Sequence, residues 1–330
     1  MPFRRLRLVP RTALLMTPVG ENLACQWGTA NAATSGGGSA THPNEWASST
    51  AVWDKFANTW ESTITGSSPA SGGTVGSGTG RSFRYATGNT GTWVQGTNSG
   101  GSSYDANAAA MPYNPGNILR VRKNGGSMQG TGPEHFNPGN SDAYVSGLGT
   151  FSRFYLHCVC MVPTGYRTPD GGVHKLFHIH GTCDSRPTTG NSLVVPAFFG
   201  SPSDSLGGSI AFQLRLQNCG PIFAGSDGAI NLTGNVNGGG ITVTRGTPLE
   251  FEVRGQMNTG SNADGSLEVW IRSGGVWTQR MSYTAIDFST TTTTTKRWTE
   301  IELNPTYGGN ITTTGDQDLY YDGPYFSMAV

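Results

Sequence analysis

Polar and aromatic side chains recur at every second position in four stretches of this chain, each time opposite an apolar phase. In 173–180, VHKLFHIH, Leu176, His178 and His180 share one phase and Phe177 and Ile179 the other. In 209–217, SIAFQLRLQ, Gln213, Arg215 and Gln217 alternate with Phe212, Leu214 and Leu216. In 249–254 Glu250, Glu252 and Arg254 alternate with Leu249, Phe251 and Val253; in 267–272 Glu268, Trp270 and Arg272 alternate with Leu267, Val269 and Ile271. Period two marks half-buried strands, so the apolar phases predict a core and the polar phases an outward surface. If adjacent strands join those surfaces, His178, His180, Gln213, Arg215, Glu252, Arg254, Glu268 and Trp270 form one glycan-binding face. Trp offers a flat apolar ring to a pyranose, Glu and Gln exchange hydrogen bonds with hydroxyls, and Arg grips a carboxylate through two parallel bonds. The bland alternative is a solvent-facing sheet held by cross-strand salt bridges.

His174, His178, His180 and Cys183 have the spacing H-x-x-x-H-x-H but no second ligand cluster, and no metal or cofactor is expected. The five cysteines are too sparse for a disulfide scaffold in 330 residues. Cys158 and Cys160 share a strand face as small buried hydrophobes, while Cys183 and Cys219 are left as a candidate pair. With 21 basic and 21 acidic residues the net charge is zero, so no global field draws nucleic acid or an anionic membrane. No apolar run reaches the ~20 residues of a membrane-spanning helix.

The elements that must position these residues are strands. The 49 glycines and the 13% of charged residues predict short strands joined by many turns, an all-β chain. The stretch 249–272 reads as an antiparallel hairpin whose gap holds Asn258, Gly260, Asn262, Asp264 and Gly265, residues that accept tight turns. RFYLHCVCMV at 153–162 is apolar on both faces, as a central strand is. Further strands are expected at 82–86, 298–303 and 319–328. Near-helical spacing of Trp46, Trp53, Phe56 and Trp60 predicts one helix over 47–63, capped by Ser48 or Ser49. The stretches 67–80, 89–104 and 290–295 read as loops and turns.

Residues 1–45 show no periodicity and read as an arm or linker ahead of a single domain at 46–330. The start MPFRRLRLVPRTALLMTPVG imitates an export signal, but Pro10, Arg11 and Pro18 interrupt it and it is read as none. Its leucines favour an arm that docks on a neighbouring copy or another subunit. An extracellular or virion location reached without a signal implies release by lysis.

HKLFHIHG, FQLRLQ, LEFEVRGQMNT…ADGSLEVWI and WTEIELNPTYGG…YYDGPYFS, in that order, resemble the concanavalin A-like lectin/glucanase jelly roll. That fold occurs in polysaccharide lyases and in laminin-G-like glycan-binding modules, including those of phage particles. The resemblance spans about 80–330 and implies a jelly-roll β-sandwich of two antiparallel sheets, with sugar lying across one face. His178-Ile179-His180 is similar to the Gln-Ile-His strand of alginate-lyase-like enzymes, with His180 at the His position. Arg81 to Arg84 resembles their Arg-bearing strand. The tail YYDGPYF lacks the lysine of their Tyr-x-Lys-x-Gly-x-Tyr strand, although Tyr321 or Tyr325 can serve as acid and base. Glu250 with Glu252 and Glu300 with Glu302 do not match the E-x-D-x-x-E set of the glucanases. The main expectation is therefore a structural or adhesion protein that uses a sugar-binding jelly roll for particle decoration or surface attachment. The alternative is a lyase that cleaves a uronic-acid polymer by β-elimination, with His178, His180, Tyr321 and Tyr325 as its catalytic candidates.

Overall fold

β-Branched and aromatic runs bounded by Gly, Ser and Asn fold here into strands, as their period predicts. The structure, a computed structural model, describes residues 42–46, 49–54, 74–75, 82–84, 89–94, 105–112, 118–123, 136–137, 151–168, 172–181, 192–200, 208–217, 229–260, 262–288, 297–307 and 315–329. In chain order the strands are β1 (Thr50–Asp54), β2 (Thr74–Val75), β3 (Ser82–Arg84), β4 (Asn89–Val94), β5 (Ile118–Lys123), β6 (Phe136–Asn137), β7 (Arg153–Met161), β8 (Val173–Gly181) and β9 (Ser192–Gly200). They continue with β10 (Ile210–Gln217), β11 (Ala229–Leu232), β12 (Ile241–Val243), β13 (Leu249–Gln256), β14 (Gly265–Ser273), β15 (Val276–Ile286), β16 (Trp298–Tyr307) and β17 (Gln317–Ala329).

Two antiparallel sheets stack as a jelly-roll-like β-sandwich. The eight-stranded sheet runs β15-β14-β13-β7-β17-β5-β4, with β1 also paired to β17. The six-stranded sheet runs β11-β10-β9-β8-β16, with β12 also on β10, and β2, β3 and β6 form a small third sheet. Between the layers, Phe154, Leu156, Phe251, Val253, Leu267 and Val269 of the first sheet pack on Phe177, Ile179, Phe198, Phe212 and Leu214 of the second. Ring pairs cross the interface, Phe212 with Phe251 at 4.8 Å and Phe154 with Trp298 at 4.7 Å between centroids. The two cysteines of β7, Cys158 and Cys160, sit in this core as free thiols.

The helix expected over 47–63 is not formed where the structure describes it. Residues 50–54 are β1, paired with β17 from Asp54↔Tyr325 to Thr50↔Met328. Here the free edge of β17 supplies ladder partners, and tertiary pairing overrides the local 3.6-residue pattern. Among the described residues the helical content is one 3-10 turn, Ala108–Ala110. The stretch 89–104, read as turns, opens with β4. Cys25, Cys183, Cys219, residues 1–41 and the threonine run at 290–295 lie outside the described residues.

The feature that positions the site is a bulge in β17. Asp322 pairs with Val159 and Tyr325 with His157, so β17 spends three steps where β7 spends two. Gly323 takes φ 55°, a left-handed value that glycine adopts without a Cβ clash. Before the bulge Leu319 and Tyr321 face the core; after it Phe326 and Met328 do. Gly323→Ala should therefore cost roughly 1–2 kcal/mol of stability, seen as a lowered denaturant midpoint with an unchanged m-value; an unchanged midpoint would mean the bulge carries no strain.

Candidate functional site

On the outer face of the eight-stranded sheet the register aligns side chains in rows. One row is Trp270, Glu252, His157 and Tyr325, contributed by β14, β13, β7 and β17. The next is Glu268, Arg254, Tyr155 and Ser327. Tyr155, His157 and Glu252 are all fully buried, an unusual position for ionisable groups that has to be compensated locally.

The compensation starts at His157. Its Nδ1 lies 3.0 Å from the Gly323 carbonyl oxygen, which can only accept, so Nδ1 carries a proton. Its Nε2 lies 3.2 Å from Glu250 Oε1, and Arg272 Nη1 donates to the same oxygen at 3.1 Å. A carboxylate so paired with a guanidinium accepts rather than donates. The Nε2 contact places His157 at one end of a His157–Glu250–Arg272 chain. Trp277 of β15 closes this end, edge-on to His157 at 5.9 Å and under the Arg272 guanidinium at 5.9 Å.

Beside it, burial pushes the Glu252 carboxyl above its usual range, eased by His157 and by the amide of Asn44, which donates to Glu252 Oε2. The Tyr155 hydroxyl faces Glu252 without reaching hydrogen-bond geometry, and burial, reinforced by that carboxylate, holds it protonated well above the ordinary phenol range. Arg254 donates to Glu268 and lies between two indoles, 4.2 Å from the Trp46 centroid and 4.7 Å from that of Trp270.

Residues 42–46 lie over this face. His42 stacks on Tyr325 with ring centroids 3.7 Å apart and an interplanar angle of 25°, and touches Tyr155 and His157 at 5.4 Å. Glu45 Oε1 accepts from the Tyr325 hydroxyl at 2.7 Å and from the Ser327 hydroxyl. The Trp46 indole donates to the Phe154 carbonyl at 2.9 Å. Farther along the face, Ala108 and Met111 cover Ile118, Val159, Met161 and Tyr320 as a small second cluster.

The structure divides the expected sugar face. Glu252, Arg254, Glu268 and Trp270 do share a surface, on the eight-stranded sheet. His178, His180, Gln213 and Arg215 lie on the outward side of the six-stranded sheet, since their neighbours Ile179, Phe212 and Leu214 point into the core. The core separates the two groups, so they cannot line one groove. Tyr321 also leaves the site: its ring packs on Phe177 and its hydroxyl donates to the Leu176 carbonyl at 3.2 Å inside the sandwich. Of the catalytic candidates only Tyr325 reaches the polar face. The histidine beside it is His157, which the sequence reading passed over because RFYLHCVCMV looks apolar throughout. The available signal was phase, with Tyr155 and His157 opposite Cys158 and Cys160. Among the described residues no group of three or more His, Cys, Asp or Glu could hold a metal ion.

Burial, with His157 nearby, lowers the His42 pKa from 6.5 to about 2. The folded value lies below the unfolded one, so the unfolded chain binds the proton first as the pH falls. The stability that neutral His42 contributes is present above about 6.5 and is lost as the pH falls from there. His42→Phe should flatten the decline in stability between pH 7 and 5 by up to about 2 kcal/mol, read from denaturant midpoints at each pH. Glu252 has the opposite sign, because its raised value penalises the folded state as the pH rises through it. Glu252→Gln should gain stability relative to the parent on going from pH 4 to pH 8, and thermal melts at both pH values check it.

No protein-family model matches the chain, and no curated protein matches it. Solved structures similar to it include the alginate lyase Aly36B, at 15% identity with TM-score 0.47 over 73% of this chain and 98% of that one. Others are the marine PL-14 alginate lyase from Aplysia kurodai, at 13% identity with TM-score 0.44 over 65% and 84%, and the endo-β-1,4-glucuronan lyase from the fungus Trichoderma reesei, at 11% identity with TM-score 0.44 over 75% and 90%. The expectation of a structural or adhesion protein, with its virion and decoration setting, is corrected by this finding: the neighbours named are polysaccharide lyases. Of the arm or linker expected over 1–45, the structure describes residues 42–45, which lie on the eight-stranded sheet of their own chain.

Proposed function

We propose that the protein is a polysaccharide lyase that cleaves a uronic-acid polymer by β-elimination on the outer face of its eight-stranded sheet. The observation that carries this reading is the pairing of Tyr325 with His157 on adjacent strands, a phenol set next to an imidazole. β-Elimination needs the substrate carboxylate neutralised, the C5 proton removed and the leaving oxygen protonated. The C5–H bond breaks, its electron pair becomes the C4–C5 double bond, the C4–O4 bond breaks and O4 takes a proton. No water is consumed.

In this reading a protonated His157, its ring held by Glu250 and the Gly323 carbonyl, supplies the positive charge that balances the substrate carboxylate as it gains electron density. Tyr325, whose hydroxyl already bonds a carboxylate oxygen, is the proton-transfer group. Trp270 and Trp277 offer flat surfaces to neighbouring sugar rings, and Arg254 offers a guanidinium to a neighbouring carboxylate. A polymer of this kind is extracellular material, and an extracellular place of action goes with the proposal.

Incubation with alginate and with glucuronan should raise ultraviolet absorbance from the unsaturated product. Tyr325→Phe should lower kcat at least a hundredfold, and His157→Ala should lower kcat/KM comparably. Wild-type protein that yields no unsaturated product from any uronate polymer sinks the reading. A Tyr325→Phe variant of full activity removes Tyr325 from it.

A further inference from the structure

The Tyr325 and Ser327 hydroxyls converge on one oxygen of the Glu45 carboxylate. Both residues follow the β17 bulge and share the outer face. His42, three residues before Glu45, lies flat on the Tyr325 ring. The chain's own 42–46 segment thus sets a planar ring and a carboxylate side by side on the polar face. A uronate residue presents the same two features, a ring with an apolar face and a carboxylate one bond from it.

We propose that Tyr325 and Ser327 form a carboxylate-binding subsite which Glu45 fills, with His42 in the place of the sugar ring, so that a uronate must displace residues 42–46 to bind. This rests on the lyase reading and adds the ligand class and the competitor of one subsite. The hydroxyl pair fits a carboxylate because both groups donate and neither carries charge, leaving a protonated His157, in the same row as Tyr325, to supply the cation. The subsite also fits the chemistry. A carboxylate oxygen held by Tyr325 leaves C5, attached to the carboxylate carbon, within reach of the same hydroxyl. The competing segment is held by contacts outside the subsite as well, Asn44 on Glu252 and the Trp46 indole on the Phe154 carbonyl, so loss of Glu45 alone weakens the cover without detaching it.

The test titrates full-length protein with trisaccharides of mannuronate, guluronate and glucuronate, and with their methyl esters, by calorimetry. Glu45→Gln keeps the shape and removes the charge, and Glu45→Ala removes the group. A hydrogen bond to an ionised acceptor is roughly twice as strong as a neutral one, so both variants should bind the acid form about tenfold more tightly than wild type. The methyl ester should gain less, and adding Ser327→Ala to Glu45→Ala should remove most of the gain. Wild type that cleaves a uronate polymer, with Glu45 variants that bind the trisaccharides no more tightly than wild type, overturns the subsite while the lyase reading stands. An equal gain for acid and ester overturns the carboxylate assignment and leaves only steric cover. No binding and no cleavage by wild type or either variant overturns the lyase reading and this inference with it.

Discussion

Between Asp322 and Tyr325, strand β17 carries one residue more than its partner β7, and the backbone turns through a left-handed glycine to take it up. Three consequences meet there. The Gly323 carbonyl is turned to the His157 ring, which fixes the proton on Nδ1. The side-chain phase of β17 reverses, so Tyr325 and Ser327 look outward although Tyr321, in the same odd-numbered series, looks inward. The edge of β17 also passes from β5, paired through Tyr321, to β1, paired from Tyr325 onward. Because β1 begins at Thr50, four residues after Trp46, the handover brings residues 42–46 over the polar face.

Charge compensation explains why this face tolerates so much burial. An isolated ion in a low-dielectric layer is strongly penalised, whereas a chain of alternating signs with short contacts is not. Glu250 with Arg272 forms such a pair, His157 lying on the same carboxylate oxygen, and Arg254 with Glu268 forms another. Glu252 is the exception. Its nearest donor is the Asn44 amide, a neutral partner, and its carboxyl is accordingly pushed up. Fixed dipoles and charges of this kind are also what an elimination reaction needs, since they are in place before negative charge builds on the substrate.

The two outward faces of the sandwich differ in character. The outer face of the six-stranded sheet brings His178 and His180 together, their rings 6.2 Å apart and both largely buried. On β16 the register partners of His178 and His180 are Glu302 and Glu300, and Tyr307 pairs with His174. The eight-stranded sheet carries an indole, an imidazole, a guanidinium and two phenols within one pair of rows. Which side chains meet on one face is therefore set by which strands are neighbours rather than by which strands are polar.

Period-two alternation was enough to read β8, β10, β13 and β14 from the amino-acid sequence, along with the inward faces of β10, β13 and β14, while β7 was read from a run apolar on both faces. Alternation is a local property set by the pleat, and it survives in any all-β context. The grouping of Glu252, Arg254, Glu268 and Trp270 was legible for the same reason, because β13 and β14 are joined by a turn and must pair. Which sheet β8 and β10 joined was not legible: a strand's phase says which side chains share a face, but not which layer the strand enters. The reversal at Gly323 was hidden too, since a one-residue bulge leaves no trace in a periodicity count while it flips every later side chain. Residues 42–46 had no period at all, and the place of His42 and Glu45 on Tyr325 was decided only when β1 found the edge of β17.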